Sequence, residues 1–133
     1  MATFLAAIPA LPVSDISRSI RFFHEVLHFR VAHQDESFAV LKREEVELHL
    51  WLASDLDWKS RSGSLPVVSG AESFIAGTAS CRVQVAGVNE LYTELQPSST
   101  VHPNGKLEEK PWGGREFAVS DPDCNLVTFF EQL

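Results

Sequence analysis

The feature that most constrains this chain is an internal repeat at half its length. Val13-Ser14-Asp15-Ile16 ends an apolar run and opens a helix, and Val85-Ala86-Gly87-Val88 does the same. A shift of 72 residues superimposes the two copies and carries into the helices, where Ile20 falls on Tyr92 and Phe23 on Leu95. A short strand followed by an amphipathic helix cannot cover its own sheet face. Two such units therefore imply one architecture built twice.

The 133 residues suit a single domain spanning 1–133, with modules at about 1–52 and 78–133 joined by a segment at about 53–77. Such a domain buries roughly two-thirds of its unfolded surface. The net charge of -7 argues against nucleic acid, whose phosphates need a basic surface, and favours a cationic ligand. Cys81 and Cys124 lie far apart without metal-type spacing and read as reduced thiols. The N-terminus has no basic leader pattern, and no apolar run approaches the ~20 residues of a membrane span. The expected location is cytoplasmic, with no membrane partner.

Along the first half, Phe4 to Val13 is apolar and interrupted by Pro9 and Pro12, which suits an edge strand. Ser14 or Asp15 can cap the next helix, whose apolar positions Ile16, Ile20, Phe23 and Leu27 recur at three- and four-residue intervals. It closes near His28-Phe29. Strands follow at Arg30 to His33, Ser37 to Lys42 and Val46 to Leu52. The second half repeats the order: a strand at Ser80 to Val85, a helix from Asn89 to Leu95, then Glu116 to Val119 and Leu126 to Glu131 across Asp121-Pro122-Asp123-Cys124-Asn125. The intervening segment, with Trp58, is long for a compact domain and reads either as a linker or as a lid.

With the halves laid out, the chain resembles the vicinal oxygen chelate superfamily of glyoxalases, extradiol dioxygenases and bleomycin resistance proteins, and within it the bleomycin-binding members. Ile8-Pro9-Ala10-Leu11-Pro12-Val13-Ser14-Asp15, Phe22-Phe23-His24-Glu25-Val26-Leu27-His28-Phe29 and Gly87-Val88-Asn89-Glu90-Leu91-Tyr92 carry the resemblance. The most specific stretch is Pro111-Trp112-Gly113-Gly114-Arg115-Glu116-Phe117, running into the Asp121 to Asn125 turn. Cys124 stands where the family usually has glycine, which puts the turn geometry in question. The resemblance implies an α+β fold of two βαβββ modules forming curved mixed sheets with helices outside. It also implies a homodimer, and the proline-rich first strand suits an arm exchanged between subunits.

Enzymes of this superfamily hold a divalent metal with His, Gln or Glu from the first and last strands of each module. Carried over by motif, those positions are Ile8, His49, Ser80 and Thr128. Isoleucine cannot ligate and hydroxyls are poor substitutes, so a lone His49 cannot retain a catalytic metal. No cofactor is expected. His24 and His28 are four apart on a helix, a spacing that can bind zinc, but nothing acidic completes the site; both read as solvated surface residues. No Ser-His-Asp or Cys-His signature and no phosphate loop is present, so the chain reads as a binder and not an enzyme.

Strand alternation selects the cleft face. Val46, Leu48, Leu50 and Leu52 belong to the core, which turns Glu47, His49 and Trp51 the other way. Cys81, Val83 and Val85 likewise leave Ser80, Arg82 and Gln84 opposite. A solvated sheet face would explain the polar residues. It would not explain Trp51, nor Trp112 beside Gly113-Gly114, where backbone can approach a ligand. The candidate ligand-binding set is Phe38, Glu47, His49, Trp51, Arg82, Trp112, Gly113 and Gly114. Through the resemblance, the expected partner is a cationic bleomycin-type glycopeptide with planar bithiazole rings. It would be held away from DNA in a metal-free aromatic groove at the dimer interface. Two alternatives remain: a metal-dependent lyase or thiol transferase, or a binder of another aromatic small molecule.

Overall fold

A computed structural model describes residues 1–53 and 76–133. Apart from Ala53, Ala76 and Gly77, the inter-module segment and Trp58 lie outside the described residues, so neither reading of that segment is addressed. The first half runs β1 (Ala10–Val13), α1 (Ile16–Glu25), β2 (Arg30–Gln34), β3 (Phe38–Arg43) and β4 (Val46–Leu52). The second runs β5 (Ser80–Gln84), α2 (Val88–Leu95), β6 (Glu108–Glu109), β7 (Gly114–Ser120) and β8 (Leu126–Gln132). Each half forms a four-stranded mixed sheet, in the orders β1-β4-β3-β2 and β5-β8-β7-β6. In each sheet the first strand lies parallel to the last and the other pairs are antiparallel. The repeat holds at the level of register: Ala10 faces His49 of the last strand in its sheet, and Arg82, 72 residues after Ala10, faces Thr128 of the last strand in the other.

β1 is shorter than the apolar run that suggested it. His49 N–H donates to the Pro9 carbonyl at 2.9 Å. The next ladder bond toward the N-terminus would need a Pro9 N–H that does not exist. Pro12 is tolerated inside the strand because its nitrogen faces the open edge, while Ala53 N–H bonds Val13 O at 2.8 Å on the paired side. Residues 1–9 are left outside the sheet, with Phe4 and Leu5 almost fully exposed.

Alternation and helical periodicity converge on one core. Leu48 and Leu50 of β4, Phe117 and Val119 of β7 and Val127 and Phe129 of β8 pack with Phe23 and Leu27. Asp15, not Ser14, caps α1, accepting the Arg18 N–H at 3.0 Å. Ser14 donates instead to Asp123 at 2.6 Å, and Arg18 pairs with the same carboxylate at 2.9 Å. The β7–β8 turn therefore holds the start of the first helix.

α2 begins at Gly87 with no side-chain cap of its own. Glu131 supplies one from β8, accepting the Gly87 and Val88 N–H groups at 3.0 and 3.1 Å. The Gly87 amide, then Val88 and nearby Arg115, hold the Glu131 carboxyl below its ordinary value of 4.5. A depressed carboxylate contributes stability that is present above its unfolded value and lost as pH falls through its folded one. The stability gap between wild type and Glu131→Gln should therefore be open at neutral pH and close under acid, as read from urea unfolding at stepped pH. A gap independent of pH would contradict the cap.

Cys124 keeps the turn it was expected to alter. It adopts φ 71, the left-handed conformation that suits glycine, and carries the steric cost itself. Cys124→Gly should relieve about 1–2 kcal/mol of strain against an entropy cost of about 0.5–1 kcal/mol. The net gain in unfolding free energy, up to about 1.5 kcal/mol, is measurable by denaturant titration. Gly77 has no such latitude, since at φ 80 a Cβ there would lie 1.9 Å from the Asp123 carbonyl oxygen.

Candidate functional site

The structure gathers the candidate residues into two clusters, one on each sheet. On the first, Phe38 of β3 faces Trp51 of β4, and Glu47 and His49 share their side of β4. All four are partly buried, whereas Leu48 and Leu50 between them are fully buried. The His49 ring meets Phe38 edge-on at 5.1 Å between centroids. Its Nε2 lies 2.7 Å from the Glu47 carboxylate, which Lys42 also approaches at 3.7 Å. The histidine hydrogen bond, and secondarily Lys42, keep the Glu47 carboxyl below the usual carboxylate range.

On the second sheet, the Arg82 guanidinium lies 4.7 Å above the Phe130 ring. It also forks onto Glu116 at 2.7 and 3.4 Å. Glu116 is buried and is held in its charged form chiefly by Arg82, while Trp112 also hydrogen-bonds its carboxylate. Trp112 is 62% exposed, a large aromatic surface turned to the outside. Gly113 and Gly114 build the turn into β7: Gly113, at φ 94, donates to Lys110 O at 3.0 Å, and Lys110 N–H returns to Gly114 O at 2.8 Å.

Sequence reasoning missed Glu116 and Phe130. Their registers give them away: Glu116 faces Phe130 across β7 and β8 as Phe38 faces Trp51 across β3 and β4. Applying to β8 the alternation that selected Trp51 on β4 would have turned Phe130 to the same side. Outside the clusters, His28 does have an acidic neighbour, because the fold brings Glu94 to within 3.2 Å of it. His24 bonds the Phe29 carbonyl at 2.7 Å, closing the end of α1.

The superfamily's metal positions do not fit a metal in this chain. Ile8 has no donor atom, Ser80 is exposed on β5, Thr128 is buried, and the His49 Nε2 is engaged by Glu47. Among the described residues no group of three or more His, Cys, Asp or Glu side chains is placed to hold an ion. Cys81 and Cys124 are unpaired thiols, and burial, with Asp121 nearby, pushes the Cys81 thiol up to about 11, away from nucleophilic reactivity. Among the described residues, no helix is long and apolar enough to cross a membrane.

The doubled strand-helix-sheet architecture, with one strand-face cluster per sheet, defines a known class. The family model described as Glyoxalase/Bleomycin resistance protein/Dioxygenase superfamily matches residues 6–129, and the chain belongs to that family. It is 54% identical over 129 residues to the bleomycin resistance protein of Geobacillus stearothermophilus, covering 97% of this chain and 98% of that one. The Staphylococcus aureus bleomycin resistance protein matches to the same extent: 54% identity, 97% of this chain and 98% of the relative. Among solved structures, the bleomycin-binding protein of the bleomycin producer Streptomyces verticillus, complexed with copper(II)-bleomycin, superposes with a TM-score of 0.73 at 26% identity, covering 97% of each chain.

Proposed function

We propose that this chain protects a cell by binding bleomycin-type glycopeptides stoichiometrically, without making or breaking a bond in them. The observation that carries the reading is its 54% identity, over 97% of its length, to curated bleomycin resistance proteins. The site chemistry agrees with it. Trp112, Trp51, Phe38 and Phe130 offer ring faces for planar heterocycles, and the net charge of -7 attracts a cation. Three of the four superfamily metal positions carry no imidazole or carboxylate, which supports a metal-free, non-catalytic groove.

In this reading two copies pair so that the cluster on the first sheet of one faces the cluster on the second sheet of the other. The exposed arm before Ala10, with Phe4 and Leu5, crosses to the partner and buries its apolar side chains there. Gly113 and Gly114 let backbone come close to the bound drug. Titrating metal-free bleomycin into the protein should change tryptophan fluorescence and saturate at one drug per chain, with the drug recovered at unchanged mass. Absence of any response at micromolar drug would refute the reading, and a modified drug would make the chain an enzyme.

A further inference from the structure

A cavity of about 570 Å³ opens between the two halves and shares no lining residue with either cluster. It lies where the end of α1 and the β3–β4 turn meet β5 and the start of α2. Its floor is apolar, with Phe29, Val83, Leu91 and Phe129 nearly or fully buried. Its rim is acidic, with Glu44, Glu45, Glu90 and Glu94 set against a single cation, Arg43. That arginine is already committed, through Nη1 to the Leu27 carbonyl at 2.8 Å and through Nε to Glu44 at 3.3 Å. Glu94 has only His28 as a partner, and Glu45 and Glu90 have no ion-pair partner among the described residues.

The volume is within the range of small-molecule sites, roughly 300–1,000 Å³. An apolar floor rewards burial of an apolar body. Two unpaired carboxylates at the mouth favour a positive charge left near water, where it keeps most of its hydration. A neutral ligand would leave the rim's mutual repulsion in place, and an anion would add to it.

We propose that this cavity is a second binding site, selective for small organic ammonium ions that carry an aromatic or aliphatic body. Its occupant sits apart from the strand-face clusters, so its binding does not depend on the bleomycin reading.

The test uses the intact chain and three isosteric probes: 2-naphthylmethylamine, 2-naphthylmethanol and 2-naphthoate, followed by amide shift mapping and calorimetry. The amine should move the amides of Val83, Val85, Gly87 and Leu91. It should bind roughly threefold to tenfold tighter than the alcohol, with an advantage that shrinks as salt is raised. The naphthoate should bind most weakly. The double variant Glu45→Gln, Glu90→Gln should remove most of the amine's advantage while bleomycin affinity stays within about twofold of wild type. These surface changes spare the core, and Val46→Trp offers an independent block by filling the cavity mouth. Equal affinity for amine and alcohol would overturn the proposal, as would shifts confined to the strands bearing Trp51 and Arg82. If the amine binds only after residues 2–8 are deleted, the cavity belongs to the arm of a second copy and the proposal fails.

Discussion

Trp112→Ala is expected to weaken bleomycin binding by roughly thirtyfold, about 2 kcal/mol, a magnitude typical of a buried tryptophan anchor in a binding site. It should barely move the melting temperature. At 62% exposure the indole contributes little to the core. Glu116, whose carboxylate it meets, keeps its two bonds to Arg82. A side chain that costs little to remove from the fold but much to remove from the complex is one whose burial occurs only on binding. Trp51→Ala should also lower affinity, but with a measurable loss of stability, because that ring is already partly buried on β4 opposite Phe38. Calorimetric affinity and thermal unfolding on the same samples separate the two effects. A Trp112→Ala protein that keeps wild-type affinity would remove the indole from the groove. In cells the weakened variant should give less protection at equal expression, since a stoichiometric binder has no turnover with which to compensate.

Local rules read most of this architecture from the chain. β4 at Val46–Leu52 was legible to the residue because Val46, Leu48, Leu50 and Leu52 recur at every second position, with only Trp51 breaking the polar side. Both helices were legible at the helical period, although α1 ends at Glu25, short of the His28-Phe29 close that its apolar spacing to Leu27 suggested. What escaped depended on partners distant in sequence. β6 is two residues long, Glu108–Glu109, and exists only because Glu116 and Arg115 of β7 lie beside it. The cap of α2 comes from Glu131, 44 residues away, so no local capping signature announces it. The first strand was overestimated because apolarity was weighed above the missing Pro9 N–H. Within the candidate site, Glu47, His49, Trp51 and Arg82 followed from alternation. Phe130 would have followed from the same alternation on β8, whereas Glu116 required knowing that Arg82 would fork onto it across the sheet. Such pairing is set by sheet register, which composition and periodicity do not specify.

The largest loss of stability is expected at a polar residue, Asn125. It is fully buried, and its side chain joins three parts of the fold. Its Nδ2 donates to the Pro12 carbonyl of β1 at 2.8 Å and to the Asp121 carboxylate at 2.9 Å. Its Oδ1 accepts the Ala79 N–H, at the entrance to β5, at 3.1 Å. Asn125→Ala would strand the Ala79 amide, at about 1–3 kcal/mol. It would also remove one bond, worth about 1 kcal/mol each, from the Pro12 carbonyl and the Asp121 carboxylate, which keep backbone donors from Gly77, Asp123 and residue 125. With water entering the vacated space, the net loss should be about 3–4 kcal/mol, a large share of the roughly 5–15 kcal/mol that holds a domain together. The melting temperature should fall by about 10 °C or more. Asn125→Asp sharpens the test. At neutral pH it keeps the Ala79 bond but loses the donor to Pro12 and sets a second carboxylate against Asp121, whose carboxyl burial already pushes above its ordinary value. That variant should be at least as unstable as Asn125→Ala at pH 7 and recover relative to it as acid protonates one of the pair, because a protonated carboxyl donates again and the repulsion ends. If both variants melt within about 2 °C of wild type, Asn125 is not the joint of the two halves, and apolar contacts with the Asp123 bonds to Ser14 and Arg18 hold them together.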